Sequence, residues 1–103
     1  MQPIDAQFLL IKVEEDVWDV AIFAENPVLK AFEKIYNGFY VEESVFGKRP
    51  MCVVAEFPNQ MHADAWKEYW IVAFNDPDKS CKSCVTVNEL FRFIEKEREK
   101  VPQ

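Results

Sequence analysis

The chain is poor in the residues that build phosphate loops, disulfide frameworks and catalytic triads. Its 103 residues include two glycines, one histidine and three cysteines. So few glycines exclude a glycine-rich phosphate loop, and an odd number of cysteines does not make a disulfide framework but agrees with a reducing compartment. No apolar run approaches the ~20 residues that cross a bilayer, and the start lacks the basic and apolar parts of a secretory signal. We therefore expect a cytoplasmic protein.

Hydrophobic residues are plentiful despite the high charge: 50% of the chain is hydrophobic and 15% is aromatic. This composition argues against intrinsic disorder, because disordered segments have too little apolar surface to offset the entropy cost of ordering. The length is typical of one domain. We therefore expect a single domain over residues 1–103, with a core of its own.

The negative charge is concentrated in the first part of the chain. The net charge is −6, and residues 1–88 carry fourteen acids against eight bases, whereas residues 89–100 carry four of each. Such a surface repels the phosphates of nucleic acids and an anionic membrane, and it attracts a basic protein. We therefore expect no direct contact with nucleic acid or membrane.

The first sixty residues predict four strands and one helix. The predicted strands are residues 7–13, 17–24, 39–46 and 51–57, chosen for their apolar runs and their β-branched and aromatic residues. Residues 17–24 also fit one helical stripe, so that segment stays open. The helix is predicted from Asn26 as N-cap and Pro27 at the first helical position to a left-handed stop at Asn37 and Gly38.

The last third predicts one strand and one helix. Residues 60–69 fit either a helix or a strand, and we expect a loop followed by a strand from Trp66 to Phe74. Thr86 and Glu89 fit a capping box at the start of the final helix, with Val85 packing on Leu90 as a hydrophobic staple. Consecutive strands with short connections favour antiparallel pairing. The chain therefore predicts an α+β domain with a mostly antiparallel sheet of about five strands and two helices packed on one face.

One reactive motif is present, the CxxC sequence of Cys81 and Cys84. Lys79, Lys82 and the following helix would favour a thiolate there. The order of strand, CxxC and helix resembles the thioredoxin arrangement, which implies thiol redox chemistry. The likeness is limited to this segment, because no tryptophan precedes Cys81 and no proline lies between the cysteines.

A zinc site is the other interpretation of the CxxC motif. Cys81 and Cys84 supply half of a tetrahedral centre, and Cys52 with His62 could complete it. His62 has no recognisable nucleophile motif around it, so a loop histidine is a simpler interpretation than a catalytic base. We therefore expect a protein that is not an enzyme and has no cofactor, with thiol redox or zinc binding as the alternative.

The remaining signal is acidic residues beside large aromatic ones, in two clusters. Acids attract and orient a basic partner, and an aromatic side chain can anchor it. The predicted partner-binding residues are Glu14, Glu15, Asp16, Trp18, Asp19, Tyr40, Glu42 and Glu43. The sequence thus predicts an acidic inhibitor of a basic protein, of the kind represented by immunity proteins and antitoxins for nuclease toxins and by phage-encoded inhibitors. A subunit of a larger assembly, with exposed aromatics as its interface, is a further possibility.

Overall fold

The computed structural model describes residues 2–80 and 82–100 of the chain. Within them, four strands and four helices follow one another. The strands are β1 (Gln7–Glu14), β2 (Val17–Phe23), β3 (Phe39–Val41) and β4 (Met51–Phe57). The helices are α1 (Asn26–Ile35), α2 (Gln60–Asn75), α3 (Pro77–Ser80) and α4 (Val85–Glu99). The α+β class is confirmed, whereas the prediction of about five strands and two helices was slightly wrong.

The four strands form one antiparallel sheet in the spatial order β1, β2, β4, β3. Ala21 of β2 lies opposite Leu9 of β1 on one side and Val53 of β4 on the other. Alternate residues of a strand point to opposite faces, and here each face carries its own apolar cluster. The helix face carries Phe8, Leu10, Trp18, Val20, Ile22, Tyr40, Cys52, Val54 and Phe57. The open face carries Leu9, Ile11, Ala21, Phe23, Val41, Met51 and Val53.

The core lies between the helix face and the helices. Helices α1 and α2 pack on the sheet and α4 packs on α1. Trp70 of α2 is at the centre, with its ring centroid 5.2 Å from Phe32 of α1 and 6.4 Å from Phe91 of α4. Because one side chain contacts two other helices, burial of Trp70 joins the helices into one layer.

Helix α2 replaces the predicted loop and fifth strand. It begins at Gln60 after Asn59, whose side chain accepts a hydrogen bond from the backbone N–H of His62 at 2.9 Å, as a helix N-cap does. Trp66, Trp70 and Phe74 are spaced by four residues and pack as one helical stripe. The β-forming preference of tryptophan, isoleucine and valine is overridden by burial of that stripe.

Strand β3 is shorter than predicted, and β4 has the predicted bounds but an irregular register. Strand β3 ends at Val41 instead of Phe46, because residues 42–50 form a loop. Strand β4 has an irregularity at Val54, where the pairing of Ala21 with Val53 is followed by the pairing of Val20 with Ala55. Such a bulge reverses the alternation of faces. Phe57 therefore joins the helix-face core instead of the face of Val53.

The ends of the helices agree only partly with the sequence signals. Helix α1 ends as predicted, with Asn37 in the left-handed region at φ 56° and the N–H of Gly38 donating to the carbonyl of Phe32. Its N-cap is Glu25 instead of Asn26. Helix α4 begins at Val85, one residue before the predicted capping box, with Cys84 as N-cap. Val85 is 74% exposed, so the predicted staple is not formed.

Candidate functional site

The loop of residues 42–50 between β3 and β4, here called the acidic loop, combines exposed acids with exposed apolar side chains. Glu42 and Glu43 open it and are both exposed. Val45 is 90% exposed and Phe46 is 41% exposed. When a partner covers an apolar side chain that was exposed to water, the free energy of the system falls. The acidic loop therefore offers charge for attraction and apolar area for contact.

Hydrogen bonds inside the acidic loop hold its shape. Ser44 is buried, its N–H donates to the carbonyl of Arg49 at 3.1 Å, and its carbonyl accepts from the N–H of Lys48 at 3.0 Å. The hydroxyl of Ser44 donates to the carbonyl of Phe46 at 3.4 Å. Gly47 at φ 83° and Lys48 at φ 57° make the turn, which places two residues in the left-handed region. A loop held in this way loses less entropy on binding than a flexible one.

Arg49 fastens the end of the acidic loop to the sheet. Its guanidinium carbon lies 4.5 Å from the ring centroid of Phe23, a cation–π contact on the open face. Its Nη1 donates to Oε1 of Gln7 at 3.2 Å. One side chain of the acidic loop thus crosses over β2 to β1, so the position of the loop is fixed relative to the sheet.

The second predicted cluster lies in the turn of the β1–β2 hairpin. Glu14, Glu15 and Asp16, here called the hairpin acids, are all exposed. Lys12 lies 3.6 Å from Glu15, and both side chains are exposed. Exposed ion pairs of this kind contribute at most about 1 kcal/mol. Lys12 therefore holds Glu15 only weakly, and the hairpin acids can still attract a basic partner.

The two acidic clusters lie at opposite ends of the sheet. Trp18, just after the hairpin turn, pairs with Phe57, whereas Val41, just before the acidic loop, pairs with Met51. The seven residues of β4 from Met51 to Phe57 span about 20 Å at the usual rise of a strand. A single chain thus does not bring the hairpin acids and Glu42 and Glu43 together on one surface.

The predicted aromatic anchors belong to the core. Trp18 and Tyr40 are on the helix face and pack, partly buried, against the residues beneath the helices. The exposed rings near the predicted acids are instead Phe39, which is 69% exposed, and Phe46 of the acidic loop. In an antiparallel sheet the residue before a core-facing one points to the opposite face, so Phe39 belongs to the open face.

Asp19 is on the open face, where it lies opposite Glu56 of β4. Burial raises the pKa of Asp19. The negative charge of Glu56 and a hydrogen bond between the two carboxyl groups raise the pKa of Asp19 further. Oδ1 of Asp19 is shielded and has no hydrogen-bond partner among the described residues. This carboxyl pair is therefore the acidic part of the open face.

The residues of the proposed zinc and thiol sites are dispersed where the structure describes them. Cys52 lies near the start of β4, and His62 lies in the first turn of α2, beyond the far end of that strand. Cys84 is the N-cap of α4 and is partly buried. Cys81 lies outside the described residues, so the CxxC hypothesis stays a prediction. Among residues 2–80 and 82–100, no group of three or more His, Cys, Asp or Glu is placed to hold a metal ion.

Cys52 is expected to resist alkylation in the folded protein. Burial is the main cause that raises the pKa of its thiol to about 12, so near pH 8 only about one molecule in ten thousand carries the reactive thiolate. We expect iodoacetamide to modify Cys84 in the native protein, and Cys52 only after unfolding in guanidinium. Peptide mass spectrometry distinguishes the two sites. Rapid native labelling of Cys52 would contradict the core position assigned to it.

Sequence reasoning missed Val45, Phe46 and Arg49. The apolar pair was assigned to a strand because it continues the run that begins at Phe39. The polar cluster before the pair and the glycine and proline after it were a signal for a loop. Contact of Arg49 with Phe23 joins residues far apart in the chain, and the sequence carries no signal for it.

No helix among residues 2–80 and 82–100 is long and apolar enough to cross a membrane. Comparisons of the chain with protein-family models, with curated proteins and with solved structures found no match.

Proposed function

We propose that this chain is a non-enzymatic acidic binding protein that neutralises a basic protein, and that the acidic loop makes the central contact. The proposal rests on one observation: the acidic loop, whose shape is held by internal hydrogen bonds, exposes Glu42 and Glu43 together with Val45 and Phe46. Immunity proteins and antitoxins for nuclease toxins, and phage-encoded inhibitors, are the class of protein to which such a function belongs.

Charge and apolar area have separate roles in this proposal. Glu42 and Glu43 attract lysines and arginines over a distance of about 10 Å at moderate salt, which speeds the encounter. Val45 and Phe46 are then covered by the partner, which slows dissociation, since burying apolar area stabilises the complex and a few residues at the centre of a contact commonly carry most of the binding energy. A basic patch that normally receives an anionic substrate such as RNA or DNA fits this surface, and covering it would inhibit the partner.

A capture experiment tests this function. The wild-type chain and the variant Glu42→Lys/Glu43→Lys are immobilised and exposed to extract of the source cells, and the bound proteins are identified by mass spectrometry. We expect the wild type to retain a basic protein that the variant does not. That protein is then produced separately, and its own activity should fall when the purified chain is added in excess.

The control is Glu95→Lys/Glu99→Lys, which makes the same charge change at exposed positions of α4. This variant should capture and inhibit as the wild type does. Equal capture by all three proteins would reject the acidic loop as the contact. A captured protein that stays fully active when saturated with the chain would reject neutralisation as the function.

A further inference from the structure

The open face of the sheet is arranged in three rows that run across the strands. Ile11, Asp19 and Glu56 are paired in the first row. Leu9, Ala21, Val53 and Phe39 are paired in the middle row. Gln7 and Phe23 are paired in the third row, which Arg49 covers. Asp5 and Glu25 line the hollow beside Arg49, and Glu25 is paired with Arg98 of α4. The face thus has an acidic row, an apolar row and a row carrying the cation of Arg49.

The charges at the two ends of the open face are complementary. Asp19 and Phe23 lie on the same strand, four residues apart, which is about 13 Å at the usual rise of a strand. The acidic end is the carboxyl pair of Asp19 and Glu56, and the cationic end is the guanidinium of Arg49 over Phe23. A second copy of the face can be placed on the first by a rotation of 180° about an axis along the middle row. The acidic end of each copy then lies over the cationic end of the other copy.

We infer that the open face binds a second copy of this chain, in a two-fold dimer whose sheets pack face to face with the axis along the Leu9–Ala21–Val53–Phe39 row. In that arrangement Asp19 and Glu56 of one chain meet Arg49 of the other, twice in the dimer. Ala21 is already covered within one chain, so the other residues of the middle row make the contact, and Phe39, 69% exposed in one chain, is covered by its symmetry mate. Antiparallel sheets that pack face to face lie about 10 Å apart, with strands aligned within about 30°.

Other occupants fit this face less well. A two-fold axis along the strand direction would bring the carboxyl pairs of Asp19 and Glu56 of the two chains together, and like charges at an interface cost several kcal/mol. An uncharged apolar partner would leave the carboxyl pair buried without a cation, which is also unfavourable. A second copy in the antiparallel arrangement satisfies both ends of the face at once.

The dimer would also join the two acidic clusters. In one chain the hairpin acids and the acidic loop are at opposite ends of the sheet. Turning the second chain over brings its acidic loop to the end that carries the first chain's hairpin acids. Each end of the dimer would then present the hairpin acids of one chain and Glu42 and Glu43 of the other.

Sedimentation equilibrium of the purified chain tests the dimer, and it requires no partner protein. We expect a mass twice the 12.1 kDa of one chain. Arg49→Glu replaces the cation of the third row with an acid, and Asp19→Asn/Glu56→Arg replaces the carboxyl pair of the first row with a base. Each variant alone should dimerise about tenfold more weakly or worse, because repulsion replaces attraction at both ends.

Mixing the two variants should restore a complex of twice the mass, because opposite charges then meet at both ends. The triple variant Asp19→Asn/Glu56→Arg/Arg49→Glu exchanges the ends within one chain and should dimerise with itself. Circular dichroism confirms that each variant is folded. A monomeric wild type, or a wild-type dimer that none of the substitutions weakens, would overturn the inference. These outcomes leave the proposed binding by the acidic loop untouched, since that binding is measured with the variants of Glu42 and Glu43.

Discussion

Replacing Trp70 with alanine is expected to lower the free energy of unfolding by about 3–5 kcal/mol, the range measured for large aromatic residues in cores. Trp70 is 2% exposed and contacts rings of α1 and α4. The substitution leaves a cavity between these helices and removes packing that no neighbouring side chain can replace. Because small domains are stable by only about 5–15 kcal/mol, the loss should be a large fraction of the total. Urea denaturation followed by circular dichroism measures it.

Trp70→Phe separates packing from hydrogen bonding at the same position. Nε1 of Trp70 is buried and has no acceptor among the described residues, so phenylalanine gives up no hydrogen bond there and keeps most of the ring contacts. We expect a much smaller loss than for Trp70→Ala. Phe46→Ala, which removes an exposed ring of the acidic loop, should change stability by less than about 0.5 kcal/mol. Equal losses for Phe46→Ala and Trp70→Ala would contradict the central position of Trp70.

The second large effect is expected for Gly38→Ala, at the close approach between the end of α1 and β4. A Cβ atom added at Gly38 would lie 2.5 Å from Sγ of Cys52 and 3.2 Å from the carbonyl oxygens of Phe32 and Val53. Contacts that short force the chain to move, which costs about 1–3 kcal/mol or somewhat more in a packed core. Urea denaturation of the variant measures the loss.

Two further variants identify the cause of the effect of Gly38→Ala. Cys52→Ala removes the nearest clashing atom, so Gly38→Ala should cost about 1 kcal/mol less in that background. Gly47→Ala introduces a side chain at φ 83° but into open space, with Nε of Arg49 as the nearest atom at 3.9 Å. It should cost only about 1 kcal/mol, from the backbone conformation alone. A loss for Gly38→Ala that is unchanged by Cys52→Ala would exclude the proposed clash.

The fold was predictable where one residue pattern favoured one structure. Strand β1 carries a short apolar run and the end of α1 carries Asn37 and Gly38, so their positions follow from local chemistry. Residues 17–24 fitted a helix as well as a strand, and the structure shows a strand there. Helix α2 was missed because it is apolar on several sides: Met61 and Val72 are 72% and 62% exposed, whereas Trp70 is buried. A helix whose exposed side also carries large apolar residues fits a strand pattern equally well. Only the packing of Trp66, Trp70 and Phe74 in the core decides between the two.

The candidate site was predictable in composition and not in position. The sequence predicts that Glu42 and Glu43 lie inside a strand of residues 39–46, whereas in the structure both follow the end of β3. The polar, glycine and proline residues around Val45 and Phe46 signal a loop, but they compete with the apolar run from Phe39, and only the structure shows that the strand stops at Val41. The separation of the two acidic clusters follows from the strand order, in which β4 lies between β2 and β3. Strand order depends on contacts between distant parts of the chain, which carry no local signal.

The association rate of the chain with its basic partner, measured as a function of salt, tests the central claim most directly. The partner is the protein retained in the capture experiment, and the chains compared are wild type, Glu42→Lys/Glu43→Lys and Glu95→Lys/Glu99→Lys. We expect the loop variant to associate at least about tenfold more slowly at low salt and with a weaker dependence on salt, because the attraction that speeds encounter is lost. The α4 variant should keep most of the wild-type rate. Equal slowing by both variants would mean that net charge alone steers the encounter and would contradict a contact centred on the acidic loop.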